Sequence, residues 1–137
     1  MGTWDKGPFD NDEAADWCGE LNDAPPGERV AMIRAALAEA ADRDDYLDAD
    51  VAARAIAAAA VLAAQRPGGP PTDSVYGPGF LAEGVVLDLP GDLPALAVRA
   101  IDRVTGDDSE WRELWSDAGA YDEAISVLKP LRTALDN

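Results

Sequence analysis

The chain has 137 residues, the usual size of one domain, so the sequence predicts a single domain over residues 1–137. It carries 27 acidic and 11 basic residues, for a formal net charge of -16, which disfavours direct binding to a nucleic-acid backbone. No histidine is present, and this excludes Ser-His-Asp and Cys-His catalytic arrangements and the usual His-bearing zinc sites.

The first two predicted helices cover residues 11–21 and 27–43, and a Pro-Pro pair separates them. Asp10 and Glu13 have the spacing of a capping box at the start of the first helix. Both segments place apolar residues three and four apart, as in half-buried amphipathic helices. The apolar stripe of the second helix consists of Val30, Ile33, Leu37 and Ala40.

The third predicted helix is the alanine-rich segment at residues 50–66, which we expect at the centre of the fold, capped by Asp48 or Asp50. Its most apolar stretch, VAARAIAAAAVLAA, is too short to span a bilayer and is interrupted by Arg54. The N-terminus shows no signal-peptide pattern, and the single Cys18 excludes an internal disulfide. We therefore expect a cytoplasmic protein with no membrane contact.

Residues 67–91 interrupt the helical pattern, because they hold eleven Pro or Gly residues. They predict one long Gly/Pro-rich loop, packed on the helices through its few large apolar side chains. A last group of helices follows this loop. The sequence as a whole therefore predicts an all-α bundle of about six helices.

The last three helices are predicted from caps and apolar spacing. Asp92 is expected to cap a helix that ends at residue 104, and Asp107 with Glu110 has capping-box spacing at the start of a short helix. The final helix covers residues 120–135, and Pro130 should kink or break it. In the short helix Trp111, Leu114 and Trp115 predict one apolar face. Helical spacing favours a core position for the two tryptophans over a role as exposed interface anchors.

The chain opens MGTWDKGPFDNDEAADW, which resembles the N-terminal signature of a bacterial family known as domain of unknown function 4259. Members of that family open in the pattern M-G-x-W-x-x-G-x-F-x-N-D-x-A-x-D-[WF]. Here the pattern falls on Met1, Gly2, Trp4, Gly7, Phe9, Asn11, Asp12, Ala14, Asp16 and Trp17. The resemblance implies a small, mostly helical domain over nearly the whole chain, and it implies no activity.

The residues of this opening stretch favour a structural role. Trp4 and Phe9 can staple the first segment against the following helix. Asp10, Asn11 and Asp12 can satisfy the free N–H groups in the first turn of that helix. The alternative is a partner-binding site. Its candidate residues are then Trp4, Phe9, Asn11, Asp12 and Asp16.

Carboxylates are the remaining candidates for chemistry. Asp12 and Asp16 lie four residues apart on one helical face and can hold Mg²⁺ or Ca²⁺ with water completing the shell. The stretch DRDDYLDAD fails as a calcium loop, because Leu47 and Ala53 occupy the positions of the turn glycine and the bidentate acid. A carboxylate-based metal-dependent enzyme, or a divalent-cation-binding protein, is thus the alternative function.

The favoured prediction is a small acidic protein-interaction module that masks a basic protein partner and is not an enzyme. It rests on the acidic charge, the helical scaffold and the lack of a catalytic residue set. No catalytic residue, metal site or cofactor is predicted. The sequence leaves the identity of the partner and the oligomeric state open.

Overall fold

The computed structural model describes residues 12–65 and 89–136. Within these two ranges the chain forms six helices and no strand, which confirms the predicted all-α fold. The observed limits lie within two residues of those predicted. The helices are α1 (Asp12–Asp23), α2 (Pro26–Ala41), α3 (Ala49–Gln65), α4 (Leu93–Val104), α5 (Glu110–Asp117) and α6 (Tyr121–Asp136). Residues 89–91 are non-helical, and the rest of the predicted 67–91 loop lies outside the described residues.

Helix α3 lies at the centre and contacts each of the other five helices, as its alanine content predicts. Every residue from Val51 to Ala63 is buried except Arg54. Because alanine side chains are short, neighbouring helices can approach the α3 backbone closely from several directions. None of the described helices combines the length and apolarity needed to cross a membrane.

The other helices each turn one apolar face toward α3, and these faces form one continuous core. The predicted stripe of α2 is buried at Ile33, Leu37 and Ala40, while Val30 packs at the edge of the core. Helix α4 contributes a second strongly apolar face. Its buried residues are Leu93, Ala97, Ala100, Ile101 and Val104.

Helix α6 runs without a break through Pro130, so the predicted break there is wrong, while the predicted kink stays a prediction. Proline cannot donate the hydrogen bond expected at its position. Leu128 and Leu131, on either side of it in the sequence, are both buried in the core and hold this part of α6 against the other helices.

Helix α5 turns only one side toward its neighbours. Trp111 is 4% exposed, which confirms its predicted core position, and its ring meets those of Trp115 and Tyr121 edge-on. The ring centroids are 6.4 and 6.3 Å apart, a favourable aromatic geometry. Leu114, predicted on the same face, is instead 45% exposed, because this short helix buries only the Trp111 side.

The predicted capping box at α5 is wrong. Ser109 is the N-cap, since its backbone is extended and its side chain accepts from the Arg112 N–H at 3.4 Å. Glu110 does not reach back to residue 107. Its Oε1 accepts from the backbone N–H of Ala49 at 2.8 Å, so this carboxylate caps the start of α3 from another helix. Asp107 pairs with the Arg112 side chain instead.

Asp92 stands at the N-cap position of α4, but its side chain makes no cap hydrogen bond. Both carboxylate oxygens accept from Arg34 of α2, at 2.8 and 2.9 Å. This hydrogen-bonded pair ties α2 to the start of α4. The hydrogen bonds from Arg34 also lower the pKa of Asp92 below its ordinary value of 3.8.

The stabilisation from Asp92 should depend on pH. Because its folded pKa is lower than its unfolded pKa, the unfolded chain binds more protons in acid. The contribution is therefore present above about pH 4 and is lost as the pH falls through the folded pKa. We expect Asp92→Asn to lower the Tm slightly at neutral pH and to leave it unchanged in strong acid. Thermal unfolding across this range checks the result, and an equal loss at every pH would contradict it.

Candidate functional site

The structure describes two of the five predicted partner-binding residues. Trp4, Phe9 and Asn11 lie outside the described residues. Asp12 is the first residue of α1, and Asp16 lies exposed one turn later. The predicted set is therefore not brought together by the described part of the chain, and its first three members stay predictions.

The signature residues that lie in α1 are partly in the core and partly on the surface. Ala14 and Trp17 are buried, with Trp17 only 6% exposed, whereas Asp16 faces solvent. Cys18 lies beside them in the core, and burial raises the pKa of its thiol to about 12. The buried face of α1 packs on α3. Asp16 is thus the one predicted site residue whose side chain is seen to be accessible.

A first candidate surface is an open groove of about 300 Å³ formed by α1, α2 and α3. Its floor is apolar and its rim is charged, and we refer to it as the amphipathic groove. The groove is lined by Trp17, Glu20, Met32, Ala35, Ala36, Glu39 and Arg54. Helix α1 therefore contributes its signature tryptophan to the wall of this groove.

Arg54 anchors one side of the groove. Its Nη1 donates to Glu13 Oε2 at 2.9 Å, and its Nη2 donates to Glu39 Oε1 at 3.2 Å. Burial lowers the pKa of Arg54, but the hydrogen bonds that Arg54 donates to both glutamates outweigh burial and raise it overall. The arginine within an otherwise apolar helix is thus explained by carboxylates on α1 and α2. Glu20, which also lines the groove, forms no ion pair with another described residue.

The second candidate surface comprises two loops, residues 42–48 between α2 and α3 and residues 105–109 between α4 and α5. An isolated parallel bridge joins them at Leu47 and Ser109. The Leu47 N–H donates to the Asp108 carbonyl at 2.8 Å, and the Glu110 N–H donates to the Leu47 carbonyl at 2.9 Å. These paired acidic loops expose six aspartates: Asp42, Asp44, Asp45, Asp48, Asp107 and Asp108.

Arg103 of α4 holds the paired acidic loops together. Its guanidinium donates to the carbonyls of Arg43 and Asp45 on one loop and of Asp107 and Asp108 on the other. Its distances to the Arg43 and Asp107 carbonyls are both 3.0 Å. Asp108 adopts a φ of 56°, a left-handed conformation that aspartate tolerates better than most residues. Backbone oxygens therefore take the Arg103 charge. Asp42, Asp45 and Asp107 pair with other arginines, whereas Asp44, Asp48 and Asp108 form no ion pair with another described residue.

Every arginine in the described ranges has an intramolecular partner. Most pair with carboxylates, as Arg99 does with Asp42 and Arg132 with Asp102. Arg29 donates to two carbonyls at the end of α1. By contrast, several exposed carboxylates form no ion pair with another described residue. They include Asp16, Glu20, Asp44, Asp48 and Asp108.

The described part of the chain provides no set of metal ligands for the alternative function, a metal-dependent enzyme or cation-binding protein. No group of three or more His, Cys, Asp or Glu side chains there is arranged to hold a metal ion. Tyr46 is also a poor nucleophile, because its hydroxyl donates to Glu113 at 2.8 Å and this hydrogen bond raises its pKa to about 12. The arrangement instead offers outward-facing carboxylates on a rigid scaffold.

Comparison with known proteins places most of the chain within a family model. A family model described as domain of unknown function (DUF4259) matches residues 2–126, a span that runs from the opening signature into α6. No curated protein and no solved structure shows a significant match.

Proposed function

The chain belongs to the DUF4259 family, and we propose that it is a non-enzymatic protein-interaction module that binds and masks a basic protein partner. The family description supplies no activity, so the proposal is carried by charge. The proposed setting is the bacterial cytoplasm, since a single buried cysteine without a disulfide suits a reducing compartment.

The proposal is carried by a difference in pairing between the described arginines and the described carboxylates. The described arginines are satisfied within the fold, whereas carboxylates such as Asp44 and Asp108 face solvent without a cationic partner. The outward field is therefore strongly negative, in line with the net charge of -16. Such a field attracts a basic protein, speeds its association and repels acidic competitors.

The paired acidic loops are the part of this surface best suited to binding. The Leu47–Ser109 bridge and the contacts of Arg103 fix the spacing of their aspartates before any partner arrives. A surface that is already ordered loses less conformational entropy on association than a mobile one. Basic side chains of a partner can thus meet several carboxylates at fixed positions.

Two of the residue types that often act as nucleophiles are held in their protonated forms. The pKa values of Cys18 and Tyr46 are each raised to about 12, by burial in the first case and by the hydrogen bond to Glu113 in the second. Neither supplies an anionic nucleophile at neutral pH.

The proposal is tested by measuring the affinity for the co-purifying basic partner at rising salt. We expect Asp44→Asn/Asp108→Asn on the paired acidic loops to weaken binding by about five- to tenfold, as for two lost surface ion pairs. The control Asp23→Asn/Glu28→Gln removes the same charge around the turn between α1 and α2, and we expect it to weaken binding less than twofold.

Two results would contradict the proposal. The first is an affinity that does not change with salt, because attraction between exposed charges is screened at high ionic strength. The second is an equal loss of affinity in the two double variants, which would show that the paired acidic loops are not part of the interface. Circular dichroism of both variants shows that any loss is not caused by unfolding.

A further inference from the structure

We propose that the amphipathic groove receives one arginine or lysine side chain of the basic partner. The aliphatic stem lies along Met32 and Ala35, beside the small exposed edge of Trp17, and the cationic end lies at Glu20 and Glu39. This inference rests on the proposed function and adds a specific anchor point to it. It is carried by the volume of the groove, by its apolar floor and by its acidic rim.

The floor of the groove matches an aliphatic stem. Trp17 comes from α1, while Met32, Ala35 and Ala36 come from the facing side of α2. A volume of about 300 Å³ is at the small end for ligand pockets, so it suits one extended side chain and not a folded segment. Arginine and lysine commonly bury their methylene stems on apolar surface while their charged ends reach polar groups.

The rim of the groove matches the cationic end. Glu13, Glu20 and Glu39 stand against the single positive charge of Arg54, so this region carries two uncompensated negative charges. Arg54 contacts Oε1 of Glu39 at 3.2 Å, which leaves Oε2 available to a second donor. Glu20 has no ion pair among the described residues. Glu20 and Glu39 Oε2 are therefore the groups that the incoming guanidinium or ammonium group contacts in this proposal, while Arg54 keeps its contact with Glu13.

Other occupants fit this groove less well. An anionic ligand would be repelled by the rim, and a neutral apolar side chain would leave the excess carboxylate charge unbalanced. A bare divalent cation gains nothing from the apolar floor, and no three acidic side chains among the described residues are arranged to hold a metal ion. A side chain with a long apolar stem and a positive end can contact both the apolar floor and the acidic rim.

The experiment uses the full chain with ¹³C-methyl-labelled methionine. The sequence has two methionines, Met1 and Met32, so the NMR spectrum reports the groove through one assignable signal, and Met32→Leu confirms the assignment. The probe is the peptide acetyl-Ala-Arg-Ala-Ala-Arg-Ala-amide at low salt. Its control replaces both arginines by norleucine, which keeps the stem and removes the charge.

We expect the arginine peptide to shift the Met32 methyl signal saturably and the norleucine peptide to leave it nearly unchanged. Glu20→Gln/Glu39→Gln should weaken binding by about tenfold, since each exposed pair contributes up to about fivefold. Asp117→Asn/Asp122→Asn removes equal charge from two exposed positions on α5 and α6, which do not line the groove, and should change the affinity less than twofold. Glu20→Gln alone, which breaks no contact within the described fold, should weaken binding by about threefold.

The inference is overturned if the arginine peptide leaves the Met32 signal unmoved, or if the groove and control variants weaken binding equally. Either result leaves the proposed function standing, because the partner affinity of the loop variants tests that function separately. If the partner affinity does not depend on salt or on the loops, the proposed function fails whatever the peptide does.

Discussion

Trp17→Ala lowers the free energy of unfolding by about 3 to 5 kcal/mol, the range for removing a large buried aromatic side chain. Trp17 is 6% exposed and lies on the same buried face of α1 as Ala14, Cys18 and Leu21. Truncation would leave a cavity where α1 meets the core. Denaturant unfolding followed by circular dichroism measures the change, and Trp17→Phe should recover much of the loss because it fills part of the cavity.

Asp16→Ala is the matched control, since Asp16 precedes Trp17 on the same helix and is exposed. We expect this change to alter the free energy of unfolding by no more than about 0.5 kcal/mol, as is usual for surface positions. If Trp17→Ala left the unfolding midpoint unchanged, the helical end of the opening signature would have no structural role. The signature would then have to be explained by binding.

Arg103→Ala lowers the free energy of unfolding by about 2 to 3 kcal/mol, because four backbone carbonyls lose a charged hydrogen-bond donor. The paired acidic loops then lose the side chain that joins them. Arg103→Lys should recover only part of this stability, since one ammonium group cannot reproduce the planar fork of a guanidinium. Chemical denaturation measures both variants.

The control for this prediction is Arg99→Ala on the same helix. Arg99 contacts only Asp42 in an exposed pair at 2.8 Å, so its loss should have a small effect. Arg103→Ala should also weaken binding of the basic partner, because the aspartates of the paired acidic loops would no longer hold fixed positions. If the two alanine variants were equally stable, Arg103 would not be the residue that joins the loops.

The helices could be predicted from the sequence because their signals are local. The three-and-four spacing of Ile33, Leu37 and Ala40 marks a buried face without knowledge of what covers it. The alanine run in α3 indicates a central position, since only close neighbours can bury so small a side chain. Local patterns of this kind set helix limits to within two residues.

The contacts that organise the candidate surfaces could not be predicted, because they join residues far apart in the sequence. Arg103 reaches carbonyls 58 and 60 positions earlier, and carbonyl acceptors leave no sequence pattern. Asp92 has the form of a cap but is bound by Arg34, 58 residues away. Glu110 has the spacing of a capping box, yet tertiary packing places it against the start of α3.

The opening signature shows how far a motif can be interpreted without a structure. Both a staple and a binding site fit its residues, and the described part assigns them different places, with Trp17 in the core and Asp16 on the surface. A buried tryptophan and an exposed aspartate one position apart follow from the helical period. The roles of Trp4 and Phe9 stay predictions.

Native mass spectrometry of the protein gently isolated from its own cells tests the central claim most directly, because one spectrum reports bound protein, bound metal and subunit number. The proposal predicts a stoichiometric complex with a protein of high isoelectric point that dissociates as the salt concentration rises. A stoichiometric metal ion with no protein partner, or a partner as acidic as this chain, would contradict it.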